Sequence, residues 1–204
     1  LSQIGLDTVL QAIGAETKDI AVAVLDSGGP NFGSTASQSS AFLGGGYDFW
    51  DDDSDPTDTT AATDSHGTHV GTTIAALNDG NNINGFGIGV VPVRVLGANG
   101  TGFVSDITQG LLYAGGLPNG SGVTYSGTTP INVVNMSLGS TGSTCSGGYQ
   151  GAINDLYERN ISIVSSSGNS GVEEYGSPSS CNNVISVAAC LLYTSDAADE
   201  EDSV

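Results

Sequence analysis

With 204 residues the chain is long enough for one substantial hydrophobic core, and its composition gives no sign of a second. Three Lys and Arg against 22 Asp and Glu set a formal charge of -19, which repels phosphate backbones and anionic lipid and so argues against nucleic acid or a membrane surface as partner. The 31 glycines and only 12% charged residues describe a folded, loop-rich domain with an acidic skin rather than a disordered acidic chain, and no window is apolar enough for a membrane span.

The N-terminus has no basic start followed by an apolar core, so a secretion signal and any pro-segment would lie upstream. The first apolar run covers residues 20–25, is rich in β-branched residues, and is short enough for a strand buried on both faces. Asp26 closes it and is followed by Ser27-Gly28-Gly29, which places a carboxylate at a strand tip. Residues 27–46 are rich in Gly and Ser and read as a surface loop. Asp51, Asp53, Asp55 and Asp58 then gather hard oxygens in one loop, a composition suited either to Ca²⁺ or to plain solvation. Helical spacing runs over 66–77, opened by Ser65-His66-Gly67-Thr68-His69-Val70-Gly71-Thr72. His66 falls at the start of that helix and can face the same edge as Asp26. His69 is three residues on, and packing is the better reading for it than a metal pair, because no acid follows at ligand spacing.

Further along, a loop at 78–89 leads to an apolar run at 90–96, helical spacing at 105–114, another loop at 115–130 and a strand at 131–136. A helix at 149–159, a strand at 161–164 and a strand at 184–187 complete the pattern. Strand–helix alternation of this kind predicts a doubly wound α/β fold with a parallel sheet and helices on both faces. In such sheets ligands gather beyond the carboxyl ends of the strands. Ser165-Ser166-Ser167-Gly168-Asn169-Ser170-Gly171 directly follows a strand, so the Asn169 amide also belongs to that edge.

Singly these motifs are weak, since Asp26 could merely end a strand, His66 cap a helix and Asn169 serve a turn. Their order and flanking strands, together with Val91-Pro92-Val93-Arg94-Val95-Leu96-Gly97, Asn135-Met136-Ser137-Leu138-Gly139 and Asn182-Asn183-Val184-Ile185-Ser186-Val187-Ala188-Ala189, resemble the subtilisin-like serine peptidases over residues 20–189. The bacterial secreted branch is the most similar, on the placing of Cys145 and Cys181. The resemblance implies a secreted, monomeric endopeptidase that cleaves polypeptides, with a pro-segment inhibitor in its parent. It gives His66 the part of general base, Asp26 that of orienting acid and Asn169 that of oxyanion donor. It assigns Ser137, Leu138 and Gly139 to one wall of a specificity pocket, Ser166, Ser167 and Gly168 to the other, and Gly100, Gly102 and Phe103 to the far side of the groove. With no charge at those positions, a broad preference for apolar or aromatic side chains is expected. It also implies a Cys145–Cys181 disulfide, the alternative being two buried thiols. Catalysis of this kind needs no cofactor, while structural Ca²⁺ is the resemblance's suggestion for the acidic loop and, more weakly, for Asn78, Asp79 and Asn82.

The sequence departs from the family in two places. A few residues are missing between Gly89 and Val90, and no Gly-Thr-Ser-Met-Ala-type segment follows Ala189. Instead, Cys190-Leu191-Leu192-Tyr193-Thr194-Ser195-Asp196 onward resembles the in-frame translation of a sequencing adapter. The expected division is thus a partial peptidase domain at 1–189 and a non-native tail at 190–204, with no catalytic part for Ser195. Such a fragment is expected to be inactive alone, and the competing reading is a non-catalytic, peptide-binding pseudo-peptidase.

Overall fold

The structure is a computed structural model that describes residues 20–31, 40–58, 65–77, 85–170 and 176–188. The loop of Asn78, Asp79 and Asn82, Gly171, Ala189 and the segment from Cys190 with Ser195 lie outside the described residues. Eight strands and three helices alternate among the described residues: β1 (Ala21–Asp26), β2 (Tyr47–Asp48), α1 (His66–Ala75), β3 (Gly89–Arg94), α2 (Val104–Ala114), β4 (Ile131–Met136), β5 (Ser140–Thr141), α3 (Gly147–Tyr157), β6 (Ser162–Ser166), β7 (Gly176–Ser177) and β8 (Val184–Val187).

Six of the strands form one sheet in the order β2-β3-β1-β4-β6-β8, and every pairing in it is parallel. The α/β class read from the sequence is the class observed. β1 lies between β3 and β4 and is buried throughout, which is why its run Ala-Val-Ala-Val-Leu shows no polar alternation. The chain leaves β1 towards β2 and β3 and returns past it to β4. Connections thus diverge at the β1–β4 junction, the switch point where an open parallel sheet leaves a crevice at its carboxyl edge.

The two faces of the sheet are filled by different helices. Ala21, Ala23 and Leu25 join Val91, Val93 and Val95 in the larger core with α2 and α3. α2 contributes Ile107, Gly110, Leu111, Tyr113 and Ala114, and α3 contributes Tyr149, Ala152, Ile153 and Leu156, both at the spacing of one helical face. Each large buried side chain there, such as Leu111 or Ile153, is stabilising by about 1.5–3 kcal/mol relative to exposure. Val22 and Val24 turn the other way with Val90 and meet Ala75 of α1. Helix α1 covers β1 and β3, whereas Ile185 and Val187 of β8 are 56% and 50% exposed.

Two short features escaped the periodicity. β2 holds only two residues, paired with Val93 and Arg94. β5 and β7 form an antiparallel pair outside the main sheet. Ser165 and Ser166 extend β6 beyond its apolar run because they pair with Ser186 and Val187, so tertiary pairing overrides local preference there.

Candidate active site

Asp26 ends β1 at the carboxyl edge, fully buried. His66 opens α1, and its Nδ1 lies 2.8 Å from Asp26 Oδ1 and 3.0 Å from Oδ2. An ionised carboxylate can only accept, so Nδ1 carries the proton and Nε2 is the nitrogen free to accept another. The imidazole is 50% exposed while its partner is wholly enclosed, which presents Nε2 to the cleft and anchors the ring from behind. Burial lifts the Asp26 carboxyl above the ordinary carboxylate range, and the bonds from His66 and from Ser27 N–H draw it part of the way back.

The approach of α1 to the strand tip depends on Gly67. A Cβ there would lie 2.3 Å from the Gly28 carbonyl oxygen and 3.0 Å from Asp26 Cβ, so any side chain would push the helix, and His66 with it, off the carboxylate. His69, expected to pack, is exposed instead: it lies on the outer side of α1, where its carbonyl accepts from Thr73 Oγ1 at 2.9 Å.

A cleft of about 740 Å³ runs from this pair across the tips of β4 and β6. Ser137, Leu138 and Gly139 form one wall and Ser166, Ser167 and Gly168 the other. They are neighbours because β4 and β6 pair through Met136 and Ser165, and Ser166 Oγ donates to the Leu138 carbonyl across the gap at 3.4 Å. Gly168 adopts φ 103°, a left-handed conformation that only glycine holds without strain, and turns the chain so that the exposed Asn169 also lines the cleft. Gly100 and Gly102 border the far side.

Phe103, expected beside them, points outward. It precedes α2 with extended backbone and its ring, 65% exposed, stacks on Trp50 with centroids 5.8 Å apart. Val104 and Ile107 occupy that wall, and their three-residue spacing on a helix start was the signal available in the sequence. A floor from Gly176, Ser177 and Ser179 was also missed. Its residues reach the cleft only because β7 pairs with β5. Tyr149 lines the cleft as well, and burial pushes its phenol up to about 12, so it contributes no charge at neutral pH.

The acidic loop does not converge on a point. Asp51 pairs with Arg94 Nη1 at 2.7 Å, Asp53 and Asp55 cap turns by accepting from Asp55 N–H and Thr57 N–H, and Asp58 accepts from Ser27 and Thr68. Among the described residues no three His, Cys, Asp or Glu side chains are grouped to hold a metal ion. This arrangement does not fit one calcium ion shared by the four carboxylates. Cys145 and Cys181 are joined, with Cα atoms 4.9 Å apart, as the resemblance implied.

A parallel α/β sheet with an Asp–His pair at its switch point and a peptide-sized cleft alongside is the class that fold and site define together. Residues 17–200 match the model described as the subtilase family, and the chain belongs to that family. Over 139 residues it is 44% identical to an extracellular protease of Xanthomonas campestris pv. campestris, covering 63% of this chain and 22% of that protein. Over 131 residues it is 40% identical to Subtilisin Savinase of Lederbergia lenta, covering 61% of this chain and 42% of that one. A solved protease structure from Pseudoalteromonas arctica superposes with a TM-score of 0.72 at 34% identity, covering 86% of this chain and 57% of that one. The chain thus spans less than half the length of these two curated relatives. Among the described residues no helix is long and apolar enough to cross a membrane.

Proposed function

We propose that this chain supplies the acid–base pair and the peptide cleft of a secreted serine-type endopeptidase. The observation that carries the reading is the His66 Nδ1 to Asp26 bond at the head of the cleft. In it, Asp26 fixes the tautomer, His66 Nε2 takes the proton of a serine hydroxyl as that oxygen attacks the scissile carbonyl, and the same proton then passes to the leaving amine. The Asn169 side-chain amide donates to the oxyanion that forms on the carbonyl oxygen. The substrate strand lies between Ser137–Gly139 and Gly100–Gly102, with one side chain in a pocket whose walls bear no charge, which favours apolar or aromatic residues there. The disulfide and the relatives' extracellular naming support secretion. On this reading the 204 residues hold the base, the orienting acid and the cleft, and the nucleophile is a serine of a Gly-Thr-Ser segment, which does not occur in the sequence.

The test has two arms. The 204-residue chain should bind an apolar peptide, seen as shifts of the Gly139, Gly168 and His66 resonances, and cleave none of it. The parent polypeptide should cleave the same peptide, and His66→Ala in it should lower kcat by about 10⁶. Binding without cleavage in the parent would make this a peptide-binding pseudo-peptidase, and unaltered cleavage by His66→Ala would overturn the assignment of the base.

A further inference from the structure

Helix α1 begins without a cap of its own: Ser65 makes no side-chain hydrogen bond to it, and the first N–H groups of a helix have no intrahelical partner. Two side chains from elsewhere satisfy two of them. Ser27 Oγ accepts from Gly67 N–H at 2.9 Å, and Asp58 Oδ2 accepts from Thr68 N–H at 3.3 Å and from Thr68 Oγ1 at 3.1 Å. The same Asp58 oxygen accepts from Ser27 Oγ at 3.2 Å. The single hydroxyl proton of Ser27 is thereby directed at Asp58, which leaves its lone pairs for Gly67. Ser27 N–H in turn donates to Asp26 Oδ1 at 2.7 Å.

The main chain closes the same circuit. Asp58 N–H donates to the Gly29 carbonyl at 2.7 Å, and Gly29 N–H to the Pro56 carbonyl at 2.9 Å. A side chain on Gly28 would lie 2.7 Å from the Pro56 oxygen, so the two segments touch with no room between them. The path runs from Asp58 through Ser27 and Asp26 to His66, and back along α1 to Thr68 and Asp58. A carboxylate at a helix N-terminus is also favoured by the helix dipole, and its bonds are stronger than those of a neutral acceptor.

We propose that Asp58 is a positioning residue for the His66–Asp26 pair, its carboxylate capping α1 from outside and, through Ser27, setting where the imidazole and the buried carboxylate meet. The proposal rests on the reading of that pair as base and orienting acid. Removing the Asp58 carboxylate frees the Ser27 hydroxyl to rotate and leaves Thr68 N–H without its acceptor, so α1 frays at the residue that carries the base.

The test uses the 204-residue chain labelled with ¹⁵N-histidine, at alkaline pH where imidazole is neutral. With only two histidines in the sequence, the exposed His69 serves as the internal reference. Wild type should show His66 protonated at Nδ1. Asp58→Ala should give a mixture of Nδ1–H and Nε2–H tautomers and speed amide exchange at Gly67 and Thr68 by at least about tenfold. Asp58→Asn, which keeps an acceptor oxygen in place, should restore most of the wild-type pattern, and Asp55→Asn, whose carboxylate serves only its own turn, should change nothing. A folded Asp58→Ala chain with wild-type His66 nitrogens and wild-type exchange overturns the proposal. If that variant does not fold, Ser27→Ala takes its place, with the same tautomer mixing and faster Gly67 exchange expected and an unchanged His66 as the refutation. A wild-type chain already mixed in tautomer defeats the reading of the pair itself; an ordered wild type with an indifferent Asp58→Ala defeats only this inference.

Discussion

Reducing the Cys145–Cys181 bridge should destabilise the domain chiefly through its unfolded state. The bond closes a loop of 36 residues. The chain-entropy relation then gives about 13 cal/mol/K, or about 3.8 kcal/mol at 25 °C, and a fall in Tm of roughly 8–15 °C for a domain of this size. The native geometry at the bridge has other support, because Gln150 Oε1 accepts from Asn182 N–H at 2.8 Å and Gln150 Nε2 donates to the Asn182 carbonyl at 3.2 Å. That clip keeps the residue after Cys181 against α3 when the sulfurs are separated, so little of the loss falls on the folded side. Urea unfolding of the oxidised and reduced chains, with a Cys145→Ala/Cys181→Ala variant as a check on the reductant, should show the fall in stability. The m-value should rise on reduction, since the unlinked unfolded chain exposes more surface. A loss below about 1 kcal/mol, or a full loss with no rise in m, would place the effect in the native state and refute the loop argument.

The remaining predictions concern charge and exposed surface. Asp26 binds its proton more tightly folded than unfolded, mainly because of burial, so it makes stability fall as pH rises from its ordinary 3.8 through its raised native value. The stability of Asp26→Asn minus that of wild type, from urea midpoints at a series of pH values, should therefore increase with pH across that window; a constant difference would contradict the burial argument. Arg94 is 4% exposed and holds both Asp48 and Asp51, so Arg94→Met leaves the buried Asp48 without its cation and should cost about 3–5 kcal/mol at neutral pH. Asp48 is already lifted by burial, so the deficit should shrink in acid as it protonates, and Asp48→Asn in the same background should recover part of it at neutral pH. Ile185→Thr with Val187→Thr changes two exposed apolar side chains of β8; it should lower dye binding and aggregation while moving the urea midpoint by less than about 1 kcal/mol, measured by ANS fluorescence and light scattering.

What the sequence disclosed follows the range of the interactions involved. The buried strands are legible because a strand enclosed on both faces needs an unbroken apolar run, and Asp26 stands out as the acid that ends one. His66 and Asn169 are legible by the same rule, as polar residues at the carboxyl edge of a parallel sheet. The parts that were not legible depend on contacts between distant segments. The destinations of Asp51 at Arg94 and of Asp58 at Ser27 are 43 and 31 residues away, and no local pattern distinguishes a carboxylate that will meet a guanidinium from one that will meet a cation or water. The resemblance assigns Phe103 to the groove, yet its ring stacks on Trp50, which comes from the segment that opens the acidic loop. The floor at Gly176–Ser177 is set by a two-residue pairing with β5, too short to leave any periodicity.

The ends of three adjacent strands explain why the buried carboxylate is available to an imidazole at all. Asp26, Arg94 and Asp48 stand in register across β1, β3 and β2, so the strand next to the Asp26 tip ends in a guanidinium. A guanidinium bound to Asp26 would satisfy its charge permanently and leave no reason for His66 to hold one orientation. Arg94 is instead taken on its far side by Asp48 and Asp51. Among the described residues the Asp26 carboxylate bonds the His66 ring and accepts from Ser27 N–H. Asp48 of β2 and Asp51 of the acidic loop thus bind the guanidinium beside the strand tip, while Asp58 holds the helix that carries the imidazole. Loss of either should loosen the same Asp26–His66 contact, the first by offering the carboxylate another partner and the second by moving the ring.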